Sequence, residues 1–469
     1  MKKKLTIKLG LALAGLSAIL SGSALAEMQI DTHGGLKVWD PCNPCYWFCL
    51  NGRLELDEVY YSGTYRDRAG NYPTSGNIRL ARLAFKGGVG ECLNYNLTLD
   101  FGRTQSLWDR NTGQLLTGTG NAGPYQHGLS LIEEAWLAYT GLWECTRFRF
   151  GQFTPLATMD DYTNYGTDNS QMFLESALAT RAFSVPSYVD TDSRSRKGFG
   201  IIADAQICDI FTVAGTVYQP AHGAPNTYGD PGRSDRWGGA LRVTFAPIHD
   251  CDRVFHLGAL ARYQDLNHTL AGAPILNTLF FTTPEVVGRN YIGNPRNVSA
   301  NTTYDPDLLN TGALRAKGYG HYAGEFLGIC GPITFQAEYH QTSVRRQNDS
   351  TVQFRGGHGQ LGYVLTGESR CYNFADGTLG GIRPCGPWGA WEIVARYSAL
   401  TLNNKNVFGG YGGNATLGLN WYVNDNIRVA FNYIRATFQP TGLIAGTPVN
   451  PTPIKRRLDI FAGRLQIIF

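Results

Sequence analysis

From residue 93 onward, apolar and polar side chains repeatedly trade places one for one. Leu93, Tyr95, Leu97, Leu99 and Phe101 alternate with Asn94, Asn96, Thr98, Asp100 and Gly102. Ile333, Phe335, Ala337 and Tyr339 alternate with Thr334, Gln336, Glu338 and His340, and Ile393, Ala395, Tyr397 and Ala399 with Glu392, Val394, Arg396 and Ser398. Leu417, Leu419 and Trp421, then Ile427, Val429, Phe431 and Tyr433, repeat the pattern. A period of two puts one kind of residue on each face of a β-strand. A helix cannot satisfy it.

A soluble sandwich would show the same alternation, so the compartment has to be read elsewhere. The chain opens with Lys2, Lys3 and Lys4, an apolar run from Leu9 to Leu20, and small residues at Ala24 and Ala26. That is the pattern of a secretory signal, residues 1–26, cleaved before Glu27. Beyond it no stretch approaches the roughly 18 consecutive apolar residues of a membrane helix. Charged residues make up only 17% of the chain, glycine reaches 57 residues and aromatics 12%. An exported chain of this kind points to a transmembrane barrel. The last strand agrees, running to the terminus with Phe461, Leu465, Ile467 and Phe469 on one face.

Strands are expected to start near 51, 78, 92, 130, 146, 198, 210, 236, 253, 313, 332, 356, 388, 414, 427 and 457. Short turns near 88–91, 141–145, 206–209, 247–252, 328–331 and 424–426, with a longer one at 370–387, alternate with long loops near 62–76, 103–128, 155–196, 219–235, 265–311, 341–354, 403–413 and 436–456. This is the rhythm of a 16-stranded antiparallel transmembrane β-barrel, short turns in the periplasm and long loops outside. One barrel domain, residues 50–469, then follows a Cys-bearing periplasmic segment, residues 27–49. The net charge of +4 comes entirely from Lys2, Lys3, Lys4 and Lys8, so past residue 26 basic and acidic groups balance at 37 each. A global basic field for nucleic acid is excluded.

Several collinear segments carry a resemblance. They are Asn51-Gly52-Arg53-Leu54, Ile78-Arg79-Leu80-Ala81-Arg82-Leu83, Glu134-Ala135-Trp136-Leu137-Ala138-Tyr139-Thr140-Gly141 and Phe150-Gly151-Gln152-Phe153. Gly331 to Tyr339, Tyr363-Val364-Leu365-Thr366-Gly367-Glu368-Ser369-Arg370, Trp388-Gly389-Ala390-Trp391-Glu392 and Leu417-Gly418-Leu419-Asn420-Trp421-Tyr422 continue it. From about residue 50 onward the chain resembles the phosphate-selective porin O/P family of Gram-negative outer membranes. The resemblance implies a homotrimer of sixteen-stranded barrels in outer-membrane lipid, an inward-folded third outer loop, and diffusion of small anions such as phosphate. No cofactor is implied.

Strand phase assigns the candidate pore lining. Arg82, Lys86, Arg147, Arg149, Arg242, Arg262, Arg396, Arg428 and Arg464 fall on polar faces, and Arg53 and Arg79 match family motif positions. Guanidinium is permanently charged and presents a planar fork to phosphate oxygens. The same arginines are also able to pair with Asp100, Glu134, Glu338 and Glu392 across the wall. The sequence departs from the family at the inward loop, where a phosphate-binding lysine is expected. Thr154 to Thr180 holds no Lys or Arg but carries Asp160, Asp161, Asp168 and Glu175, and Leu80 stands where a second arginine is usual. Such acids either oppose anions in the constriction or anchor the loop to wall arginines such as Arg147 and Arg149.

The ten cysteines form a second constellation. Cys92, Cys145, Cys208, Cys251 and Cys330 each fall in a short turn, Cys371 and Cys385 flank the longer one, and Cys42, Cys45 and Cys49 precede the first strand. All belong to the oxidising periplasmic rim. Neighbouring turns lie about 10 Å apart, beyond disulfide reach of about 7 Å. Bonds to the Cys42–Cys49 segment, to neighbouring subunits or to other envelope proteins, a private Cys371–Cys385 bridge, or five private bridges are the options. Cys42-Asn43-Pro44-Cys45 lacks the βαβ context of a redox motif and a second ligand pair for zinc. His256 and His340 fall on polar faces with no nucleophile beside them, so an enzyme is not indicated. A structural protein or adhesin with little conductance is the rival to a porin.

Overall fold

The computed structural model describes residues 29–31, 35–41, 43–63, 74–101, 132–165, 169–183, 187–188, 197–220, 237–266, 277–286, 309–312, 314–439, 442–444, 447–449 and 455–469. The signal segment, Cys42 and Asp168 lie outside them.

Among the described residues, sixteen strands form the wall: β1 (Trp47–Gly63), β2 (Thr74–Val89), β3 (Leu93–Asp100), β4 (Ile132–Tyr139), β5 (Thr146–Phe153), β6 (Gly198–Ile207), β7 (Phe211–Pro220) and β8 (Gly238–His249), then β9 (Arg253–Asp265), β10 (Leu314–Cys330), β11 (Ile333–Arg346), β12 (Val352–Val364), β13 (Ala390–Asn404), β14 (Val407–Tyr422), β15 (Ile427–Gln439) and β16 (Arg456–Ile468). Each pairs antiparallel with the next, and β16 returns to β1 in a register running from Leu458 opposite Gly63 to Ile468 opposite Arg53. Closure leaves no unpaired edge for lipid to meet. At the seam's lower end the Phe469 N–H donates to the Gly52 carbonyl at 3.0 Å. Below that point a short strand, Leu36–Trp39, takes over the edge of β1 from Leu50 to Trp47.

The expected phase holds. Leu137, Phe150, Ile201, Val217, Leu241, Leu417 and Phe431 are exposed on the outside, a continuous apolar surface suited only to lipid. Trp391 and Trp421 stack at 5.1 Å near the ends of β13 and β14 that carry the short turns, and Trp143 and Trp388 lie exposed on the same rim. Such rings suit the headgroup level.

Three expectations change. The barrel starts at Trp47, so Cys49 lies inside β1 rather than before it. The loops expected at 341–354 and 403–413 are mostly strand: β11 runs to Arg346, and β13 and β14 meet through a tight turn between Asn404 and Val407. Third, the inner face is polar only in its periplasmic half. Farther out, Val59, Tyr61, Val344, Val352, Phe354, Leu400, Leu402, Ile434, Phe438, Leu458 and Ile460 also point inward and are buried. They pack against Leu178 and Phe183 of the loop after β5 and against Phe280, Val286 and Leu309 from the 265–311 connection. Each such side chain contributes roughly 1.5–3 kcal/mol when fully buried. The outer half of the lumen therefore holds a packed apolar core made by two loops folded inward.

Candidate functional site

The loop between β5 and β6 enters the barrel and carries two short helices, α1 (Met159–Tyr165) and α2 (Leu178–Phe183). Its apolar residues Leu156, Met159, Met172, Phe173 and Leu174 are buried. A loop inside a barrel must also satisfy its backbone carbonyls, and the wall arginines do this. Arg464 donates to the Leu174 carbonyl at 2.6 Å, Arg396 to that of Glu175 at 2.9 Å, and Arg428 to that of Met172 at 3.3 Å. Arg370, from the hairpin between β12 and β13 and not from the wall, reaches the Ser170 carbonyl at 2.9 Å, and Arg262 of the wall holds the Phe183 carbonyl at the end of α2.

Glu175 is the hub of this clamp. Its carboxylate meets Arg79 at 2.6 Å, Arg464 at 2.9 Å and Arg181 at 2.9 Å. Burial pushes this carboxyl up, but Arg79, Arg464 and Arg181 outweigh it and hold it well below the usual carboxylate range. Arg464 also forks onto Asp57, both bonds at 2.7 Å, and approaches Glu55 at 3.2 Å; Glu55 in turn accepts from Arg53 Nε at 2.9 Å. The cluster thus sets four guanidinium groups (Arg53, Arg79, Arg181, Arg464) against three carboxylates (Glu55, Asp57, Glu175). It is close to neutral.

The other predicted groups divide between wall and loop. Arg82 bonds Asp100 at 3.2 Å and Glu133 at 2.9 Å. Lys86 stands half-buried four residues farther along β2, opposite Asn96. Arg242 pairs with Glu325 at 2.7 Å, and Arg396 with Glu285 at 2.6 Å while lying 4.2 Å over the Phe173 ring. Asp160 accepts the Ala177 N–H at 2.9 Å, folding the loop on itself, and Asp161 is buried beside it on α1. Arg147 and Arg149 do not anchor the acids of the loop as expected; they bond Asp204, at 3.1 and 3.0 Å. Three expected wall pairs also differ. Glu134 is bound by Lys197 at 3.2 Å, Glu338 faces His340 at 3.2 Å, and Glu392 is held by Arg370.

The long periplasmic turn also enters the lumen. Its hairpin, Arg370–Asn373 with Thr378–Ile382, is fixed by fully buried Arg370, which bonds Glu392 at 2.8 and 2.7 Å and the Tyr422 hydroxyl at 2.8 Å. At its tip Asp376 accepts from Arg147 at 2.7 Å, and Arg242 donates to the Asp376 and Gly377 carbonyls, both at 2.7 Å. Burial raises the Asp376 carboxyl, and Arg147 more than reverses that, so it sits below its ordinary value. Between hairpin, loop and wall remains a cavity of only ≈ 10 Å³, about the room of one water, lined by Asp160, Thr163, Gln171, Glu175, Gln360 and Arg396 among others.

Sequence reasoning missed Arg181, Glu285, Arg370, Asp57 and Asp376. Arg181 stands one residue past the stretch scanned for basic groups, and Arg370 closes a motif already quoted for the resemblance. Glu285 had no local signal, because it reaches the clamp from within the 265–311 loop.

The rim cysteines fall where the turns put them. Cys92, Cys145, Cys208, Cys251 and Cys330 lie at successive short connections, and the nine described cysteines are unpaired thiols. The private Cys371–Cys385 bridge is not formed, nor is any other pairing among the nine.

The chain is similar to known proteins. Residues 48–458 match the family described as phosphate-selective porin O and P. The chain is similar to Porin O of Pseudomonas aeruginosa, 25% identical over 423 residues, which covers 88% of this chain and 87% of that one. Among solved structures it is similar to OmpT, an outer membrane protein of Vibrio cholerae, at 10% identity and TM-score 0.48, covering 91% of this chain and 98% of that one. An anion-selective porin from Comamonas acidovorans gives 11% identity and TM-score 0.48, covering 90% and 99%. On the family match over residues 48–458, this chain belongs to the phosphate-selective porin O and P family and is a channel of the Gram-negative outer membrane.

Proposed function

We propose that the barrel passes small hydrophilic solutes by passive diffusion, without catalysis, and that Glu175 sets its anion preference by acting as a resident counter-anion. The observation that carries this reading is the contact of one carboxylate with Arg79, Arg181 and Arg464 at 2.6–2.9 Å. A mobile phosphate has to compete with a carboxylate that is covalently tethered and already oriented. Anions such as phosphate therefore meet arginines on the polar periplasmic half of the inner face but are held there weakly. The barrels work as homotrimers in outer-membrane lipid, as the family resemblance implies. The test is the reversal potential of the refolded protein in a planar bilayer under a KCl gradient, with and without phosphate. A mild selectivity, with current little affected by millimolar phosphate, is expected. Tight phosphate block would overturn the role of Glu175.

A second reading rests on the thiols. Cys145, Cys208, Cys251, Cys330, Cys371 and Cys385 are exposed and unpaired. In an oxidising periplasm they join the barrel to neighbouring subunits or other envelope proteins, with the barrel as a structural element. A ladder above the monomer on non-reducing gels of native membranes is expected. Monomer mobility alone would sink it.

A further inference from the structure

The polar belt of the lumen contains a group that neither the clamp nor the diffusion path uses. Glu338 and His340 lie two residues apart on β11, so they share its inward face. His358 on β12 stands directly opposite Glu338 in the antiparallel register. One ligand atom from each of the three lies within 4.8 Å of the others, and all three residues are buried.

The polar bonds around them leave an unusual set of atoms over. Glu338 Oε1 is taken, accepting the Asp160 backbone N–H at 2.7 Å and the Gln336 amide at 3.1 Å. Its Oε2 accepts no hydrogen bond and faces His340 Nε2 at 3.2 Å. His358 is 6% exposed, and neither of its ring nitrogens has a hydrogen-bond partner among the described residues. A buried imidazole with both nitrogens unpaired is costly. His340 Nδ1, in contrast, is 3.5 Å from His321 Nε2, and His321 Nδ1 is 2.9 Å from the Thr342 hydroxyl. That chain suits a His340 whose Nδ1 carries the proton and whose Nε2 lone pair faces Glu338, with the Thr180 hydroxyl a long 3.4 Å away.

We propose that Glu338 Oε2, His340 Nε2 and a ring nitrogen of His358 bind a divalent transition metal of the zinc class. Two imidazoles and one carboxylate are a complete protein ligand set for a tetrahedral zinc with one open position. With bonds of about 2.0–2.1 Å, the donor–donor edge of such a site is about 3.3 Å, which the Glu338–His340 separation of 3.2 Å already matches. The outer shell is in place as well. His321 orients His340, and the Asp160 N–H with Gln336 orients Glu338, as metal ligands require. Because that N–H belongs to α1, a bound metal would pin the inward loop to β11 and β12. This inference does not rest on the reading of Glu175.

The test uses the full-length protein, refolded without a histidine tag and with its thiols alkylated so that no sulfur competes. Zn²⁺ followed by calorimetry is expected to saturate a single site per chain, and Co²⁺ to give visible d–d absorption with no thiolate band. Glu338→Gln and His358→Gln are each expected to weaken Zn²⁺ binding at least tenfold. His256→Gln, which alters another buried lumen imidazole bonded to Tyr372, is expected to leave it unchanged. Heat-modifiable gel mobility identifies the variants that have closed their barrels. A folded wild-type barrel that binds no stoichiometric Zn²⁺ overturns the proposal, and so does an equal loss in His256→Gln.

Discussion

Arg79 and Glu175 stand 96 residues apart in sequence, yet two bonds at 2.6 and 3.0 Å join them inside the barrel. The pair forms because β2 carries one extra residue against β1. The register steps from Glu55 opposite Leu80 to Leu56 opposite Ile78, which puts Arg79 in the bulge between them and aims it at the loop. A wall irregularity and a loop carboxylate thus make this contact together.

Removing the charge but not the shape of that carboxylate tests its role. Glu175→Gln leaves Arg79, Arg181 and Arg464 without their shared counter-anion. The reversal potential should move toward chloride selectivity, and millimolar phosphate should begin to block the current.

Protonation should imitate that variant. The Glu175 carboxyl is held well below 4.5 in the folded barrel, so its stabilising contribution is fully present above the unfolded value. It is lost only as pH falls through the lowered one. Selectivity is expected to stay level from neutral pH to below 4.5, then to shift toward anions in stronger acid. Reversal potentials across a pH series check this, and Glu175→Gln should show no such step.

Arg370 offers a stability prediction. It is fully buried and carries the charge balance of Glu392. Arg370→Ala strands that carboxylate, at a cost of about 3–5 kcal/mol for a broken buried pair. Urea unfolding should show the loss. Single-channel conductance should rise as the periplasmic hairpin comes loose.

Gly389 lies in the Trp-Gly-Ala-Trp-Glu stretch, where the chain leaves the hairpin for β13. It has φ of 74°, and a Cβ there would stand 2.1 Å from the Tyr422 carbonyl oxygen. Gly389→Ala is expected to destabilise the barrel by about 1–3 kcal/mol, measured by the same unfolding curves, with pore selectivity unchanged.

The wall was legible because lipid on one side and polar groups on the other impose a period of two. Glu392, Arg396 and Ser398 face inward on β13 as their phase requires, and Ile393 and Tyr397 face out. Where both faces are apolar the signal fades. On β16, Leu458 and Ile460 point in toward the loop core while Phe461 points out. Nothing in that sequence distinguishes a lumen from a core. The stretch 403–413, expected as a loop, turns tightly at Lys405 and is otherwise strand. Gly409 is instead required inside β14, since a Cβ there would lie 2.5 Å from Cβ of Leu402. The clamp was the least legible part. Glu285 meets Arg396 across 111 residues, and Arg370 meets the Ser170 carbonyl across 200. Contacts of that span leave no local pattern.

The seam between the first and last strands has a consequence for biogenesis. Arg464 and Asp57, 407 residues apart, bond across it, and the Phe469 N–H closes it on Gly52. A chain truncated anywhere before its final strand keeps two raw edges and leaves Asp57 without Arg464. Synthesis through Phe469 is thus written into the hydrogen bonding of the cylinder. An unfinished copy exposes its incompleteness to the envelope instead of passing as a working channel.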